Sequence, residues 1–157
     1  MAERTRPLDK GEMGPDFTLK DQHGKDLKLS ELKGRRVLLS FHPLAWTKIC
    51  AEQMKSLEAN KETFASLNTV AVGISVDAVP TKNAWGKELG IKETPLIADF
   101  WPHGGVARLY GIFREKEGFS ERANIILDER GMVVFVKIYK IGQLPDINEI
   151  ISVLKKL

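Results

Sequence analysis

Residues 36–50, RVLLSFHPLAWTKIC, decide the fold, because a buried strand and the start of a helix meet within this stretch. The run Arg36–Phe41 is almost continuously apolar, which predicts a central strand buried on both faces. Apolar residues then recur at near-helical spacing, at Ile49, Met54, Leu57 and Phe64. Thr47 precedes them and is a favourable N-cap residue. Cys50 is therefore predicted in the first turn of a helix that follows a buried strand.

Outward from this stretch, the chain alternates between predicted strands and helices. On the N-terminal side, DFTLKDQHGKDLKLSEL at 16–32 predicts a small β-hairpin around a turn at 21–25, where Gly24 supplies a permissive backbone. On the C-terminal side, the patterns predict a strand at 69–76, a helix at 81–89 and a short strand at 96–98. Such alternation is typical of parallel strands joined by helices.

The last part of the chain predicts an antiparallel hairpin and a closing helix. Apolar runs at 123–127 and 133–139 flank the turn sequence DERG, and an amphipathic helix is predicted at 146–157. The expected fold class is therefore α/β with a mixed sheet. With 157 residues and 43% hydrophobic content, the chain can bury one sizeable core, so residues 1–157 are expected to form a single domain.

The charge balance and the N-terminus exclude several classes of protein. The 24 Lys and Arg residues are interspersed with 21 Asp and Glu residues, and the net charge is only +3, so no basic stripe for nucleic acid stands out. The first fourteen residues lack an apolar leader core, and no window approaches the roughly 18 apolar residues of a membrane span. A soluble, cytoplasmic protein without nucleic-acid or membrane partners is expected.

Cys50 is the only cysteine, so neither an internal disulfide nor a multi-cysteine metal site is possible within the chain. The histidines at 23, 42 and 103 show no metal-ligand spacing, and neither a metal nor a cofactor is expected. A lone cysteine is more often a small buried hydrophobe than a nucleophile. At a helix N-terminus, however, unpaired N–H groups and the helix dipole stabilise a thiolate. Lys48 adds positive charge, and the Thr47 hydroxyl could donate a hydrogen bond to the sulfur or to a bound oxygen.

Three residues of the quoted stretch, Pro43, Thr47 and Cys50, fit the pattern P-x-x-x-T-x-x-C. This pattern resembles the signature of the peroxiredoxin family, the alkyl hydroperoxide reductases and thiol-specific antioxidants. Two later segments, GISVDAVPTKNAW at 73–85 and SERANIILDERG at 120–131, are also similar to segments of that family. The resemblance covers most of the chain. It implies a thioredoxin-like fold, with a central mixed β-sheet flanked by helices and an N-terminal β-hairpin extension.

The resemblance also implies a thiol-dependent peroxidase that reduces hydrogen peroxide and organic hydroperoxides. Cys50 would become a sulfenic acid, and Arg122 falls where the family has its active-site arginine. Thr47 and Arg122 would bind the peroxide, and Pro43 would contribute to the same substrate site and shield the sulfur from water. Orientation of the peroxide and stabilisation of developing charge would supply most of the rate, since a more acidic thiolate is also a weaker nucleophile.

Partners follow from the same resemblance. Because the chain has no second cysteine, the sulfenic acid would be reduced by an external thiol: thioredoxin, a glutaredoxin-like protein or a small thiol. A homodimer is expected, formed through loops around the active site or through edge strands. Ala51 departs from the Thr that many relatives have at this position. Lys55 stands where one subfamily has a resolving cysteine, so that subfamily is excluded.

Three other functions compete with the peroxidase. A thioredoxin-fold thiol carrier is disfavoured because the chain has no C-x-x-C pair. A non-enzymatic binding or holdase module would not need the site residues together. A Cys–His acyl hydrolase would need a base near Cys50, and His42, the nearest histidine in sequence, is expected to face solvent or the backbone. The tryptophans at 46, 85 and 101 are expected to be packing or interface residues.

Overall fold

The structure, a computed structural model, describes residues 4–157, and the first three residues of the stretch analysed for a leader lie outside the described residues. The strands are β1 (Thr18–Lys20), β2 (Asp26–Lys28), β3 (Arg36–Phe41), β4 (Thr69–Ser75), β5 (Leu96–Ala98), β6 (Phe113–Arg114), β7 (Phe119–Ser120), β8 (Arg122–Leu127) and β9 (Val133–Tyr139). The helices are α1 (Lys48–Ala59), α2 (Lys61–Ser66), α3 (Val79–Leu89), α4 (Gly105–Leu109) and α5 (Ile147–Lys155), and Leu29–Leu32 form a 3-10 turn.

A mixed five-stranded sheet in the order β5-β4-β3-β8-β9 forms the centre of the molecule. The strands β3, β4 and β5 run parallel, whereas β8 is antiparallel to both β3 and β9. β3 is the central strand, as its unbroken apolar run predicts. β1 and β2 pair separately as an antiparallel hairpin, which confirms the predicted N-terminal extension.

Side chains alternate along β3, and both faces of the strand are buried. Val37, Leu39 and Phe41 belong to one apolar cluster, whose other members come mainly from the N-terminal segment, α4 and β8. Leu38 belongs to a second cluster with residues of α1, α2, α3 and α5. The helices therefore cover the sheet, and α1 begins at the edge where the parallel strands have their carboxyl ends.

The helix predicted from Thr47 through Phe64 is wrong in one respect, because it is broken at Asn60. The Asn60 N–H donates to the carbonyl of Leu57, and its side chain donates to the carbonyl of Ser56. These bonds satisfy carbonyls at the end of α1. α2 begins at Lys61, and Phe64 still packs in the second cluster.

Other differences from the predicted elements are small. α3 begins at Val79 rather than at residue 81, because Pro80 suits the first turn of a helix. The sequence patterns did not predict α4 or the β6–β7 hairpin. α4 has five residues and β6 and β7 have two each, which is too short for a periodic signal. β4 and α5 end earlier than predicted, at Ser75 and Lys155.

Among residues 4–157, no helix is both long enough and apolar enough to cross a membrane.

Candidate active site

Cys50 is the third residue of α1, directly beyond the carboxyl end of β3, and it has no exposed surface. The first main-chain bond of the helix runs from the Ala51 N–H to the Thr47 carbonyl, at 2.9 Å. The N–H groups of residues 48–50 therefore precede the helical bonding pattern and point toward the helix N-terminus. The sulfur lies where these donors and the positive end of the helix dipole stabilise negative charge.

Arg122, the first residue of β8, lies beside Cys50. Antiparallel pairing of β8 with β3 sets Ala123 opposite Phe41, which brings the neighbouring arginine to the start of α1. Its Nη1 lies 3.4 Å from the Cys50 Sγ, and its Nε and Nη2 donate to the Ile141 carbonyl at 2.9 and 2.7 Å. The guanidinium is thus held by β8 and by the segment after β9, with one N–H directed at the sulfur.

The Arg122 side chain is buried, and within residues 4–157 no carboxylate lies within 4.0 Å of its guanidinium. A buried cation without a counter-charge is costly, since desolvation is not offset. The Cys50 sulfur, 3.4 Å from Nη1, is the group that faces this cation on α1.

Gln53 is a site residue that the sequence analysis missed. It lies one helical turn after Cys50 and is buried. Its Oε1 accepts from Arg122 Nη1 at 2.7 Å, and its Nε2 donates to the Ser40 hydroxyl and to the Phe41 carbonyl at 2.7 and 3.1 Å. Gln53 ties β3, α1 and the arginine together. A glutamine three residues after the cysteine, on the apolar face of the helix, was the available signal.

Thr47 occupies the N-cap position of α1, as predicted, but its side chain does not cap the helix. Its hydroxyl is exposed and donates to the Leu44 carbonyl at 2.8 Å, rather than to the sulfur. Among the described residues the Cys50 Sγ has one hydrogen-bond partner, Arg122. Because the hydroxyl proton is already used, the lone pairs of the Thr47 oxygen are left to accept a hydrogen bond.

Pro43 is buried at the base of the loop that joins β3 to α1. The loop is anchored by Asp77, whose carboxylate accepts from the Ala45 N–H at 2.8 Å and from the Ser75 hydroxyl at 2.6 Å. Trp46 lies at the top of the loop with a positive φ of 69°. The loop is thus fixed on the side of β4 and exposed at its tip.

Of the two expectations for His42, the one that it faces solvent is wrong, because the ring is fully buried. The His42 N–H still donates to the Ile74 carbonyl of β4, so the side-chain alternation of β3 extends by one residue and turns the ring inward. The Nε2 of His42 lies 3.1 Å from the Nζ of Lys82, and the ring packs on Trp85. The ring is therefore paired with a lysine and not with the cysteine, which disfavours a Cys–His hydrolase.

The three tryptophans differ in their surroundings. Trp85 is buried, whereas Trp46 and Trp101 are 57% and 79% exposed. Phe100, next to Trp101, is also exposed. Trp46 follows β3, and the Phe100–Trp101 pair follows β5, so these apolar side chains lie at the same edge of the sheet as Cys50. Within the described part of the chain, no group of three or more His, Cys, Asp or Glu side chains is arranged to hold a metal ion.

A buried cysteine at the N-terminus of a helix, 3.4 Å from a buried arginine, is the arrangement expected of a thiol-dependent enzyme. The AhpC/TSA family model matches residues 10–136. The chain is 36% identical over 140 residues to alkyl hydroperoxide reductase E of Mycobacterium tuberculosis, a match that covers 88% of this chain and 91% of the relative. It is 33% identical to a peroxiredoxin of Thermoplasma volcanium, over 96% of this chain and 75% of the relative.

Solved structures agree with these relatives. The peroxidoxin BcpB from Mycobacterium tuberculosis superposes with a TM-score of 0.84 at 25% identity, over 96% of this chain and 98% of that chain. The Plasmodium vivax 2-Cys peroxiredoxin superposes with a TM-score of 0.85 at 24% identity, over 95% and 81% of the two chains, and supports the thioredoxin-like fold. The chain belongs to the AhpC/TSA family of peroxiredoxins. It is a thiol-dependent peroxidase with one cysteine.

Proposed function

We propose that Cys50 is the nucleophile of this peroxidase and that it reduces hydrogen peroxide and organic hydroperoxides. The observation that carries the proposal is the 3.4 Å contact between the Cys50 Sγ and a buried arginine with no carboxylate partner among the described residues. A thiolate gives this cation its counter-charge, and the cation in turn stabilises negative charge on the attacked peroxide.

In the chemical step, the Cys50 thiolate attacks one peroxide oxygen. An S–O bond forms, the O–O bond breaks, and the sulfur is oxidised by two electrons to a sulfenic acid. The second oxygen leaves with the electron pair of the O–O bond and takes a proton to become water or an alcohol. Arg122 and the N–H groups of residues 48–50 are placed to stabilise the charge that develops on the oxygens.

The other predicted site residues have positioning roles in this proposal. The Thr47 oxygen accepts the hydrogen of the peroxide O–H, because its own proton is donated to the Leu44 carbonyl. Pro43 shields the sulfur from water at the base of the loop. Cys50 has no exposed surface, so a peroxide reaches the sulfur only after some movement of the residues around it.

An external thiol completes the cycle, because the chain holds no second cysteine to form a disulfide with Cys50. The candidate reductants are thioredoxin, a glutaredoxin-like protein and a small thiol. A free thiol that must be regenerated is compatible with a reducing compartment, which supports the cytoplasm as the place of action. Residues 1–157 act as one domain, since the strands before and after residue 100 share one sheet.

A homodimer is formed, in this proposal, through the loops around the active site. Leu44, Trp46, Phe100 and Trp101 are exposed at the edge of the sheet where Cys50 lies. Exposed large apolar and aromatic side chains are enriched at protein interfaces. A second copy of the chain would cover these side chains and help to exclude water from the site.

The proposal is tested by peroxide consumption in the presence of each reductant. The wild-type protein is expected to consume hydrogen peroxide or cumene hydroperoxide with at least one of the three thiols, and Cys50→Ser is expected to lose this activity. The serine variant preserves the size of the buried side chain, so circular dichroism should match the wild type. Peroxide consumption by Cys50→Ser at the wild-type rate would overturn the assignment of the nucleophile.

A further inference from the structure

A buried pair of titratable side chains, His42 and Lys82, lies beneath the active-site loop and is not used by the mechanism above. Neither side chain has exposed surface, and the Lys82 Nζ lies 3.1 Å from the His42 Nε2. Trp85 packs against both, with its ring 5.4 Å from the imidazole and 5.8 Å from the Nζ. The His42 Nδ1 is buried without a hydrogen-bond partner among the described residues.

Every element around the pair contributes a charged or titratable group. Lys82 interacts electrostatically with Asp77 after β4, with Asp99 after β5 and with Cys50 on α1, and His42 with Arg122 on β8. Within residues 4–157 none of the carboxylates is within 4.0 Å of the lysine. Asp77 is already bonded to the Ala45 N–H and the Ser75 hydroxyl, as described above, and Asp99 accepts the N–H groups of α4.

Near neutral pH the pair therefore holds fewer protons than an ordinary lysine and an ordinary histidine would. An ammonium group donates three hydrogen bonds, and His42 is the acceptor that the structure provides. Burial lowers the pKa of Lys82 to about 7, although Asp77, Cys50 and Asp99 oppose this shift. Burial, followed by the charge of Lys82, places the pKa of His42 well below its usual range. Near neutral pH the lysine of this pair thus gains or loses one proton while the imidazole stays neutral.

We propose that the His42–Lys82 pair binds this proton when Cys50 is a thiolate and releases it when Cys50 becomes a sulfenic acid. The inference rests on the proposed function of Cys50. A negative sulfur favours the charged lysine, and the charged lysine favours the negative sulfur, since coupling between two binding equilibria is reciprocal. Conversion of the thiolate to a neutral sulfenic acid removes its attraction for the ammonium group of Lys82. Because His42 is the hydrogen-bond acceptor that remains beside the ammonium group, the lysine then loses its proton.

The proton balance of the oxidation step follows. The thiolate and ROOH give the sulfenic acid and RO⁻, and RO⁻ takes one proton to become ROH. If Lys82 stays neutral or stays charged throughout, that proton comes from solution. If Lys82 releases its proton in the same step, net uptake from solution is smaller. The net number of protons taken up from solution is an equilibrium quantity. It therefore does not require that the proton of the lysine travel directly to the leaving oxygen.

The experiment measures proton uptake with a pH indicator in weak buffer, as reduced protein is mixed with substoichiometric hydrogen peroxide. Lys82→Met removes the titratable group and keeps an unbranched side chain of similar length. At a pH near 7 where the ultraviolet absorbance of the thiolate shows that Cys50 is equally ionised in both proteins, Lys82→Met is expected to take up more protons per Cys50 oxidised than the wild type, by as much as about one. The difference should vanish below about pH 5 and above about pH 9, where Lys82 does not change its protonation.

Two further variants make the outcome specific. Lys87→Met replaces an exposed lysine of the same helix and should behave as the wild type. Lys82→His restores a titratable group. Its difference in proton uptake from Lys82→Met should be largest at a lower pH than that of the wild type. A purely structural role of Lys82 would not produce this shift. Mass spectrometry of Cys50 separates the two hypotheses: absence of sulfenic acid contradicts the proposed function. Sulfenic acid formation with equal proton counts in wild type and Lys82→Met overturns the proton-storage role alone.

Discussion

The Nη1 of Arg122 lies 3.4 Å from the Sγ of Cys50, although 72 residues separate them in the sequence. The contact exists because β8 pairs with β3 and α1 begins where β3 ends. The same nitrogen donates to Gln53 at 2.7 Å, so the arginine is fixed by the helix that carries the cysteine. The relative position of the two side chains is therefore set by the sheet and not by a flexible loop.

Arg122→Lys is expected to slow oxidation of Cys50 by about 10²–10³-fold, the cost of losing one preorganised donor at a site of developing charge. Lysine keeps the charge, but it cannot bond the sulfur, Gln53 and the Ile141 carbonyl at once. The second-order rate constant with hydrogen peroxide, measured by stopped-flow fluorescence, checks this. The matched control is Arg130→Lys in the exposed turn before β9, for which the rate should not change.

Gln53→Glu is expected to reduce reactivity while the fold is retained. The new carboxylate would pair with Arg122 and compete with the thiolate for its charge. Alkylation of Cys50 by iodoacetamide at neutral pH should therefore be slower than in the wild type, and so should peroxide oxidation. Gln53→Met instead removes the bonds that Gln53 makes to the Ser40 hydroxyl and to one N–H of Arg122, and it should lower the free energy of unfolding by about 1–3 kcal/mol. Unchanged alkylation of the glutamate variant would show that Arg122 does not determine the charge of Cys50.

Glu58 is expected to stabilise the fold at neutral pH and not in strong acid. Burial raises its pKa, but the N–H groups of Lys92, Thr94 and Glu93 and the Thr94 hydroxyl outweigh burial, and the pKa falls to about 2. Because the folded-state pKa is below the unfolded value, the stabilisation is present above about pH 4.5 and is lost as pH falls toward 2. Glu58→Gln should cost about 2 kcal/mol at pH 7.

The check for Glu58 is urea unfolding at several pH values. The difference in the free energy of unfolding between wild type and Glu58→Gln should shrink between pH 5 and pH 2. Glu62→Gln, at an exposed position of α2, is the control and should have little effect at any pH. A difference that stays constant down to pH 2 would mean that the carboxylate charge is not the stabilising feature.

The proposed dimer predicts that Trp101→Ser, combined with Phe100→Ser, yields a monomer. These exposed side chains would lose the apolar area that a second copy covers. Sedimentation velocity at micromolar concentration measures the change. Leu144→Ser, at an exposed apolar position after β9, should remain dimeric. A wild-type protein that sediments as a monomer would contradict the dimer itself.

The central strands could be predicted from the sequence because their signals are local. The apolar runs of β3, β5 and β9 are bounded as predicted, and the position of Cys50 in the first turn of α1 follows from the helical spacing after Thr47. The break at Asn60 could not be predicted, since it depends on side-chain bonds to the helix carbonyls and on the packing of Phe64.

The surroundings of Cys50 were less predictable, because they depend on strand pairing. Arg122 is predicted only through the resemblance to a family. Its distance from Cys50 in the sequence does not indicate a contact, because the contact depends on the pairing of Phe41 with Ala123. His42 was misplaced because its partner, Lys82, lies 40 residues away on another element. The alternation of side chains between the two faces of a strand can continue beyond its last apolar residue. In β3 it continues to His42, and the imidazole therefore points inward.

The central claim is that Cys50 reacts with peroxide as a thiolate held by Arg122. Its most direct test mixes reduced protein with substoichiometric hydrogen peroxide in a stopped-flow instrument, follows tryptophan fluorescence, and identifies the product at residue 50 by mass spectrometry. We predict a fast change in the wild type, the gain of one oxygen atom at Cys50, and no such change in Cys50→Ser. A wild-type rate no faster than that of a free thiol, or an equal change in Cys50→Ser, would contradict the account.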